Sequence, residues 1–449
     1  MKNLRLLWSL PLIAGLAACG GTGSSAPPPT NFRVSAVQDS QLYMTWDATP
    51  GVEYWVFCAP DASTLDSHTP SSTHSGWLYY RGITTGSYYA TGLTNGRQYA
   101  CTVNGRKDSG PGGLDATPQV ATPRFAGANW TSTSSAPLAG SMGLRSVAYG
   151  LFSLQSVTSD QFVAVGANGQ IAVSAASGAE ATLGWSVPAQ SASGVTTDLN
   201  AVAYSGYGGG RFVAVGVGGK VAYALNAASW AWAPASMPTT ADMNAIGVAG
   251  SSTLVAVGNA GAVASSGDGA GWTSATSVPS SNNLRAVAYV PAVPNGASAW
   301  WVAVGDGGTI LKSEDASTWT LVSSGVTENL KGVAAFAVTD SAGVVTAYKV
   351  AAVGDAGHAL LANSDGSKWT ATAVTSAPVF ASLSGSRGQF MAMTATGAAW
   401  TSTDGSTWSG VGSVGVNPAV PVFRYNPSVL GVTGGWMVFD AAGNQRLAR

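Results

Sequence analysis

One phrase recurs along the chain from Trp130 onward, and it limits what the chain can fold into. It reads "LRSVAY" (144–149), "LNAVAY" (199–204), "MNAIGV" (243–248), "LRAVAY" (284–289), "LKGVAA" (330–335) and "FASLSG" (380–385). Each copy is followed by a second apolar run ending in a glycine turn: "FVAVGANG" (162–169), "FVAVGVGG" (212–219), "LVAVGNAG" (254–261), "WVAVGDGG" (301–308), "KVAAVGDAG" (349–357) and "FMAMTATG" (390–397). A third run comes next, and then a tryptophan: Trp185, Trp232, Trp272, Trp319, Trp369 and Trp408. Strand-length runs rich in valine and separated by glycine turns read as β-hairpins. A unit of this size cannot bury its own faces, so it must stack on copies of itself.

The two ends of the repeat region argue for a count of seven, with six and eight as the alternatives. The last segment, "VFRYNPSVLGVTGGWMVFDAAGNQRLAR", supplies the first strands of a seventh unit but lacks the closing tryptophan. "GANWTSTSS", ahead of the first unit, holds a spare one at Trp130. Seven units closed by the segment around Trp130 explain both facts. About 46 residues per unit suits four-stranded propeller blades. The expected fold is all-β, with a seven-bladed β-propeller over 123–449.

Four polar turns lie inside the repeats: "SGDGAGW" (266–272), "SEDASTW" (313–319), "NSDGSKW" (363–369) and "STDGSTW" (402–408). Asp268, Asp315, Asp365 and Asp404 can each accept backbone N–H groups within the turn between third and fourth strands. Trp272, Trp319, Trp369 and Trp408 offer apolar area for packing. The pattern resembles the Asp-box, the bacterial neuraminidase repeat. Four equivalent copies cannot be one active site, so these residues are expected to be architectural.

Asp-box propellers include sialidases, and a carbohydrate-active hydrolase of that type is the alternative reading. Sialidases resemble one another in three arginines holding the substrate carboxylate, a Tyr–Glu pair and an Asp acid. The propeller region has few arginines and no "RIP" phrase near its first unit. Glu180, Glu314 and Glu328 are the only glutamates after Trp130, and no pair of carboxylates is marked for glycoside hydrolysis. His358 is the only histidine there, and no serine sits in a GxSxG elbow. The sequence therefore predicts no enzyme, no catalytic residue, no cofactor and no metal. Through "AVGDGGTILKSEDASTW" and its siblings the region is more similar to the non-enzymatic propellers of photosystem II assembly factors and related exported proteins. That similarity implies a ring that binds a partner.

A candidate ligand face follows from the repeat positions. Arg145, Asn200, Asn244, Arg285 and Lys331 each follow the leucine or methionine that opens an innermost strand, Ala381 interrupts the series, and Arg424 lies close to the matching place. The turns after the second strands carry Asn168, Asn259, Asp306 and Asp355, which would open on the same side. With only 20 lysines and arginines in the chain, this concentration predicts a polar funnel at one rim of the central channel.

The N-terminal part has its own organisation. "MKNLRLLWSLPLIAGLAACG" joins Lys2 and Arg5 to an apolar run from Leu6 to Leu16 and ends in "LAAC". It resembles the lipobox of bacterial lipoproteins, which implies a signal peptide over 1–18, lipid on Cys19 and export to the outer membrane. Residues 19–30, Gly/Ser-rich and then Pro-rich, read as a tether. With Cys19 lipidated, Cys58 and Cys101 remain as a candidate pair in an oxidising compartment.

Residues 31–122 alternate in short strands that place Leu42, Met44 and Trp46 on one face, Tyr54, Val56 and Cys58 on another, and Tyr99, Cys101 and Val103 on a third. The arrangement resembles a fibronectin type III domain through "PTNFRV", Trp46 and "LTNGRQY" (93–99). The resemblance implies that the Tyr99 hydroxyl ties back to the chain near Leu93, and that Cys58 and Cys101 face inward on neighbouring strands, within reach of a disulfide. His68 and His74 share a polar loop with no third metal ligand apparent, and a solvated loop is expected there. A formal net charge of −1, with 9% of residues charged, gives no field for nucleic acid. The expected partners are an envelope protein or glycan, and the membrane through the lipid.

Overall fold

The computed structural model describes residues 23–60, 77–127, 130–132, 142–154, 157–177, 182–186, 194–224, 232–250, 252–294, 296–340, 344–414, 418–424, 435–440 and 445–448. The expected signal peptide over 1–18, Cys19, His68 and His74 fall outside the described residues. The chain divides into two compact units between Arg124 and Phe125.

In the first unit, strands Arg33–Gln38, Gln41–Thr45 and Ser87–Thr91 form a three-stranded antiparallel sheet. Leu78–Ile83, Glu53–Ala59 and Tyr99–Lys107 follow one another in that order in a five-stranded one, with Leu78–Ile83 at its edge and Ser24–Ser25 and Gln119–Ala121 both paired to Tyr99–Lys107. Leu42, Met44, Trp46, Tyr54, Val56, Cys58, Tyr99, Cys101 and Val103 are all buried in one core drawn from both sheets. Trp46 meets the Tyr54 ring edge-on at 5.5 Å between centroids. The Tyr99 hydroxyl accepts the Thr94 N–H at 3.1 Å, next to Leu93. Cys58 lies directly opposite Cys101 on adjacent antiparallel strands, Cα atoms 4.1 Å apart, and the two form a disulfide.

The stretch read as tether departs from that reading. Ser24 and Ser25 pair with Lys107 and Arg106, Ala26 N donates to Gly105 O at 3.2 Å, and Ala26 is buried in the core. A small residue beside Gly105 can reach the sheet edge, and composition does not report a free edge.

In the second unit the described residues form seven four-stranded antiparallel sheets, numbered here in chain order. Sheets 1 to 6 span 146–186, 199–236, 243–274, 284–322, 330–373 and 380–413. In sheet 7, Pro418–Arg424, Gly435–Asp440 and Gln445–Ala448 are followed by Trp130–Ser132 as outer strand, with Ala448 opposite Trp130 and Arg446 opposite Ser132. The first strand of each sheet packs against the first strand of the next, and that of sheet 7 against that of sheet 1.

This stacking explains the unbroken apolar second strands. Val213, Ala214 and Val215 in sheet 2 and Val302, Ala303 and Val304 in sheet 4 are wholly buried, because both faces of each sheet are covered by neighbours. A strand covered on one face only would alternate.

Candidate functional site

A bulge opens the innermost strands of sheets 2 to 6. The register slips between Leu199 and Ala201, Met243 and Ala245, Leu284 and Ala286, Leu330 and Gly332, and Phe380 and Ser382. The skipped residues are Asn200, Asn244, Arg285, Lys331 and Ala381. A bulge frees one residue from the ladder and re-aims its side chain. Here it brings those side chains to the strand-entry end, beside the turns that join second to third strands.

Arg424 does not belong to this set. Its strand runs Pro418–Arg424, and Arg424 pairs with Gly435 at the far end. The slip in this strand falls between Pro418 and Pro421, so Ala419 and Val420 occupy the place expected of Arg424. Two prolines and the short "PAVPVF" run disguise the register in the sequence.

The cations at the entry end are paired. Arg285 donates from Nε and Nη2 to the two carboxylate oxygens of Asp306, at 2.8 and 2.7 Å. Lys331 binds Asp355, and Arg145 binds both Asp198 and Asn200. All three pairs are partly exposed, with Arg285 41% and Asp306 25% accessible. The hydrogen bond from Arg285, then that from Asn283, holds the Asp306 carboxyl below its usual range, and Asp306 in turn raises the Arg285 guanidinium. For Asp355 burial works upward, but Lys331 and Asn329 outweigh it and the net shift is down. The described polar residues of this rim form a belt of ion pairs and carboxamides.

Sequence reasoning missed the residues that organise this belt. Asp198, Asp242, Asn283 and Asn329 stand one place before the repeat phrase. Their side-chain oxygens accept the middle N–H of the preceding sheet's turn: Asn168 to Asp198 at 2.9 Å, Gly218 to Asp242 at 2.9 Å, Ala260 to Asn283 at 3.0 Å, and Gly307 to Asn329 at 3.0 Å. Their backbone oxygens accept the first N–H of their own sheet's turn, from Val217, Asn259, Asp306 and Asp355. One residue thus clasps two sheets. The signal was present as "DLNA", "DMNA", "NLRA" and "NLKG", just outside the phrase as it was framed.

Each clasped turn puts two successive residues in the left-handed region, as a two-residue hairpin turn requires. Ala260 and Gly261 have φ of 54° and 72°. A Cβ on Gly261 would lie 2.0 Å from Ser280 O, so glycine is obligatory there. Asn200 and Asn244 extend the ties between sheets, donating to Met243 O at 2.9 Å and Leu284 O at 2.8 Å.

The four polar turns lie at the other end of the sheets, because they join third to fourth strands. Asp268 Oδ1 accepts N–H from Ala270 and Gly271, both at 2.9 Å. Asp315 Oδ1 accepts from Ser317 at 2.8 Å and Thr318 at 2.7 Å, and Asp404 Oδ1 from Ser406 at 2.7 Å and Thr407 at 2.6 Å. These bonds bring the Asp315 carboxyl down to about 2. Trp272, Trp319 and Trp408 donate Nε1–H back into the same turns. In the remaining turn, 363–369, Asp365 holds Ser367 N at 3.0 Å while Asn363 holds Lys368 N at 3.0 Å. Among the described residues Glu314 pairs with Lys312, and Glu328 is paired with His358 Nδ1 at 2.7 Å. Among the described residues no three His, Cys, Asp or Glu side chains gather so as to hold a metal ion.

Solved structures give this arrangement a fold. The chain is similar to the WD40 β-propeller domain of Doa1, at 10% identity and a TM-score of 0.50, over 71% of this chain and 97% of that one. The second unit is a β-propeller, and its sheets are blades. The chain is also similar to YCF48 from Cyanidioschyzon merolae, at 14% identity and a TM-score of 0.49, covering 71% of this chain and 98% of that one. A structure of YCF48 bound to a D1 peptide is similar at 14% identity and a TM-score of 0.48, over 71% and 94% of the two chains. No protein-family model and no curated protein sequence matches the chain.

Proposed function

We propose that this chain is an exported, lipid-anchored and non-enzymatic scaffold of the cell envelope. A fibronectin type III-like domain precedes a closed seven-bladed propeller built on Asp-boxes, and the strand-entry face of the ring binds a protein partner. The observation that carries this reading is the repeated presentation of half-exposed ion pairs, Arg145–Asp198, Arg285–Asp306 and Lys331–Asp355, whose cations share one repeat position on one face. Such pairs contribute little to stability, yet paired charges at fixed spacing give register and partner selection to an interface. The carboxylates on this face are held in clasps and ion pairs, which leaves the described acids poorly suited to act as a general acid and base. Seven sheets with Trp130–Ser132 completing the last support the closed ring. Lipidation at Cys19 and residence in the outer membrane rest on the lipobox-like N-terminus.

The test is capture from native envelope by the full-length protein, compared with a variant carrying Arg145→Ala, Arg285→Ala and Lys331→Ala together. Loss of a defined protein partner in the variant supports the reading. Capture that is indifferent to all three changes removes the face from it. Binding of purified protein to a glycan array, with release of a cleaved product, would instead establish the hydrolase.

A further inference from the structure

Blade 6 departs from the rule that blades 2 to 5 keep. The clasp position is Asp198, Asp242, Asn283 and Asn329 in those blades but Val379 in blade 6. The bulge position there is Ala381, and the first turn position, Asp306 and Asp355 in the two preceding blades, is Ala395. Val379, Ala381 and Ala395 are all exposed, Val379 at 52%. The belt of ion pairs and carboxamides thus gives way to aliphatic positions in blade 6, as it does at Ala419 and Val420 in blade 7.

Two turn N–H groups, Ala356 on blade 5 and Thr396 on blade 6, have no acceptor among the described residues, and the first faces this interruption. Ala356 N–H is the counterpart of the clasped N–H groups of Asn168, Gly218, Ala260 and Gly307, and no hydrogen bond among the described residues reaches it. Ala356 is exposed. Its turn also lacks the left-handed middle residue of the four clasped turns, where even Ala260 holds φ of 54°. The clasp and the turn geometry go together.

Resting on the reading of the ring as a protein-binding scaffold, we propose that the seam between blades 5 and 6 is the anchoring point of the partner, which supplies the missing clasp. The occupant is a protein segment carrying an asparagine beside an aliphatic residue. Its side-chain oxygen accepts from Ala356 N–H, and the aliphatic neighbour covers Val379, Ala381 and Ala395. Asparagine is favoured over aspartate by charge. The turn holds Asp355, and in the equivalent turn of blade 4, which holds Asp306, the clasp is the neutral Asn329. A glycan could accept from the N–H but would leave the aliphatic sector against water. Three small side chains make an anchor within a larger interface, whose polar rim is the neighbouring Lys331–Asp355 pair.

The probe is a peptide copying residues 327–332, Thr-Glu-Asn-Leu-Lys-Gly, the segment that clasps the preceding seam. It is titrated into full-length, isotope-labelled protein while the Ala356 amide resonance is followed. A saturable shift of that resonance is expected. A peptide with alanine for the asparagine should bind roughly three- to ten-fold more weakly, the size of one hydrogen bond. Val379→Asn, which places a clasp on blade 6 itself, should abolish the shift and raise Tm. The proposal is overturned if the amide does not respond, if the two peptides are equivalent, or if V379N binds like the parent. The asparagine-to-alanine peptide pair decides the matter even if V379N fails to fold. In the envelope capture, a partner retained in full by V379N would sink the seam alone and leave the scaffold reading standing. A glycan captured in place of any protein would sink both.

Discussion

Arg285 and Asp306 face each other within blade 4 through two parallel hydrogen bonds, the only bidentate ion pair among the described residues of the strand-entry face. Parallel N–H···O bonds are the geometry a guanidinium provides and an ammonium cannot. Both side chains remain partly in water, so screening limits the energy.

Arg285→Ala should therefore lower stability by less than about 1 kcal/mol while raising the Asp306 carboxyl toward its ordinary value. The folded-state value of Asp306 is depressed, so the pair contributes above the unfolded carboxylate value, and the contribution is lost as pH falls through the folded one. A carboxyl NMR titration of both proteins would show it. An Asp306 resonance that titrates identically in the two would contradict the assignment.

Asn329 should tolerate aspartate poorly. Its Nδ2 donates to Asp355 Oδ2 at 3.0 Å while its Oδ1 accepts from Gly307 N. Asn329→Asp replaces the donor by a second carboxylate and should cost about 1–3 kcal/mol. Adding Asp355→Asn rebuilds the reverse arrangement found at Asp242 and Asn259, and should recover part of the loss. Urea denaturation of the four proteins of the cycle gives the coupling, and strict additivity would mean that the two residues do not communicate.

Asp315→Ala should destabilise blade 4 by about 1–2 kcal/mol, since two backbone N–H groups lose their acceptor. The parent carboxyl sits at about 2. Its contribution is full above the unfolded carboxylate value and fades as pH falls toward 2. The difference between parent and variant in denaturant midpoint should accordingly shrink between pH 4 and pH 2. A constant difference over that range would assign the effect to packing alone.

Deleting Trp130–Ser132 should open the ring. The strand Gln445–Ala448 would lose its outer neighbour and present a bare edge, a template for pairing with other chains. Light scattering during refolding should report association that the intact protein avoids. A deleted protein that stays monomeric, with unchanged Tm, would show that this strand does not hold the last blade.

Much of the molecule is legible in its sequence. The phrases beginning at Leu199, Met243, Leu284 and Leu330 marked innermost strands, and the spare Trp130 marked the strand that completes the last sheet. Strand periodicity identified the inward faces carrying Leu42, Met44, Tyr54 and Cys101. These features depend on near neighbours in the chain and on which face must avoid water, and sequence records both.

The site was legible only in part. Arg145, Arg285 and Lys331 stood out as rare cations at one repeat position, but whether they formed a funnel or a belt of pairs depended on acids 21 to 53 residues away. Arg424 was misplaced because a bulge between Pro418 and Pro421 sets the register of its strand, and register is decided by the partner strand. The clasps of Asp198, Asp242, Asn283 and Asn329 reach into the preceding blade, so their acceptor role appears only when two repeats are stacked. Composition and periodicity made the chain a ring of β-sheets with a two-sheet domain before it. Which polar groups satisfy one another, and which, such as the Ala356 N–H, find no acceptor among the described residues, was decided by tertiary packing, because hydrogen bonds are set by distance and direction in space.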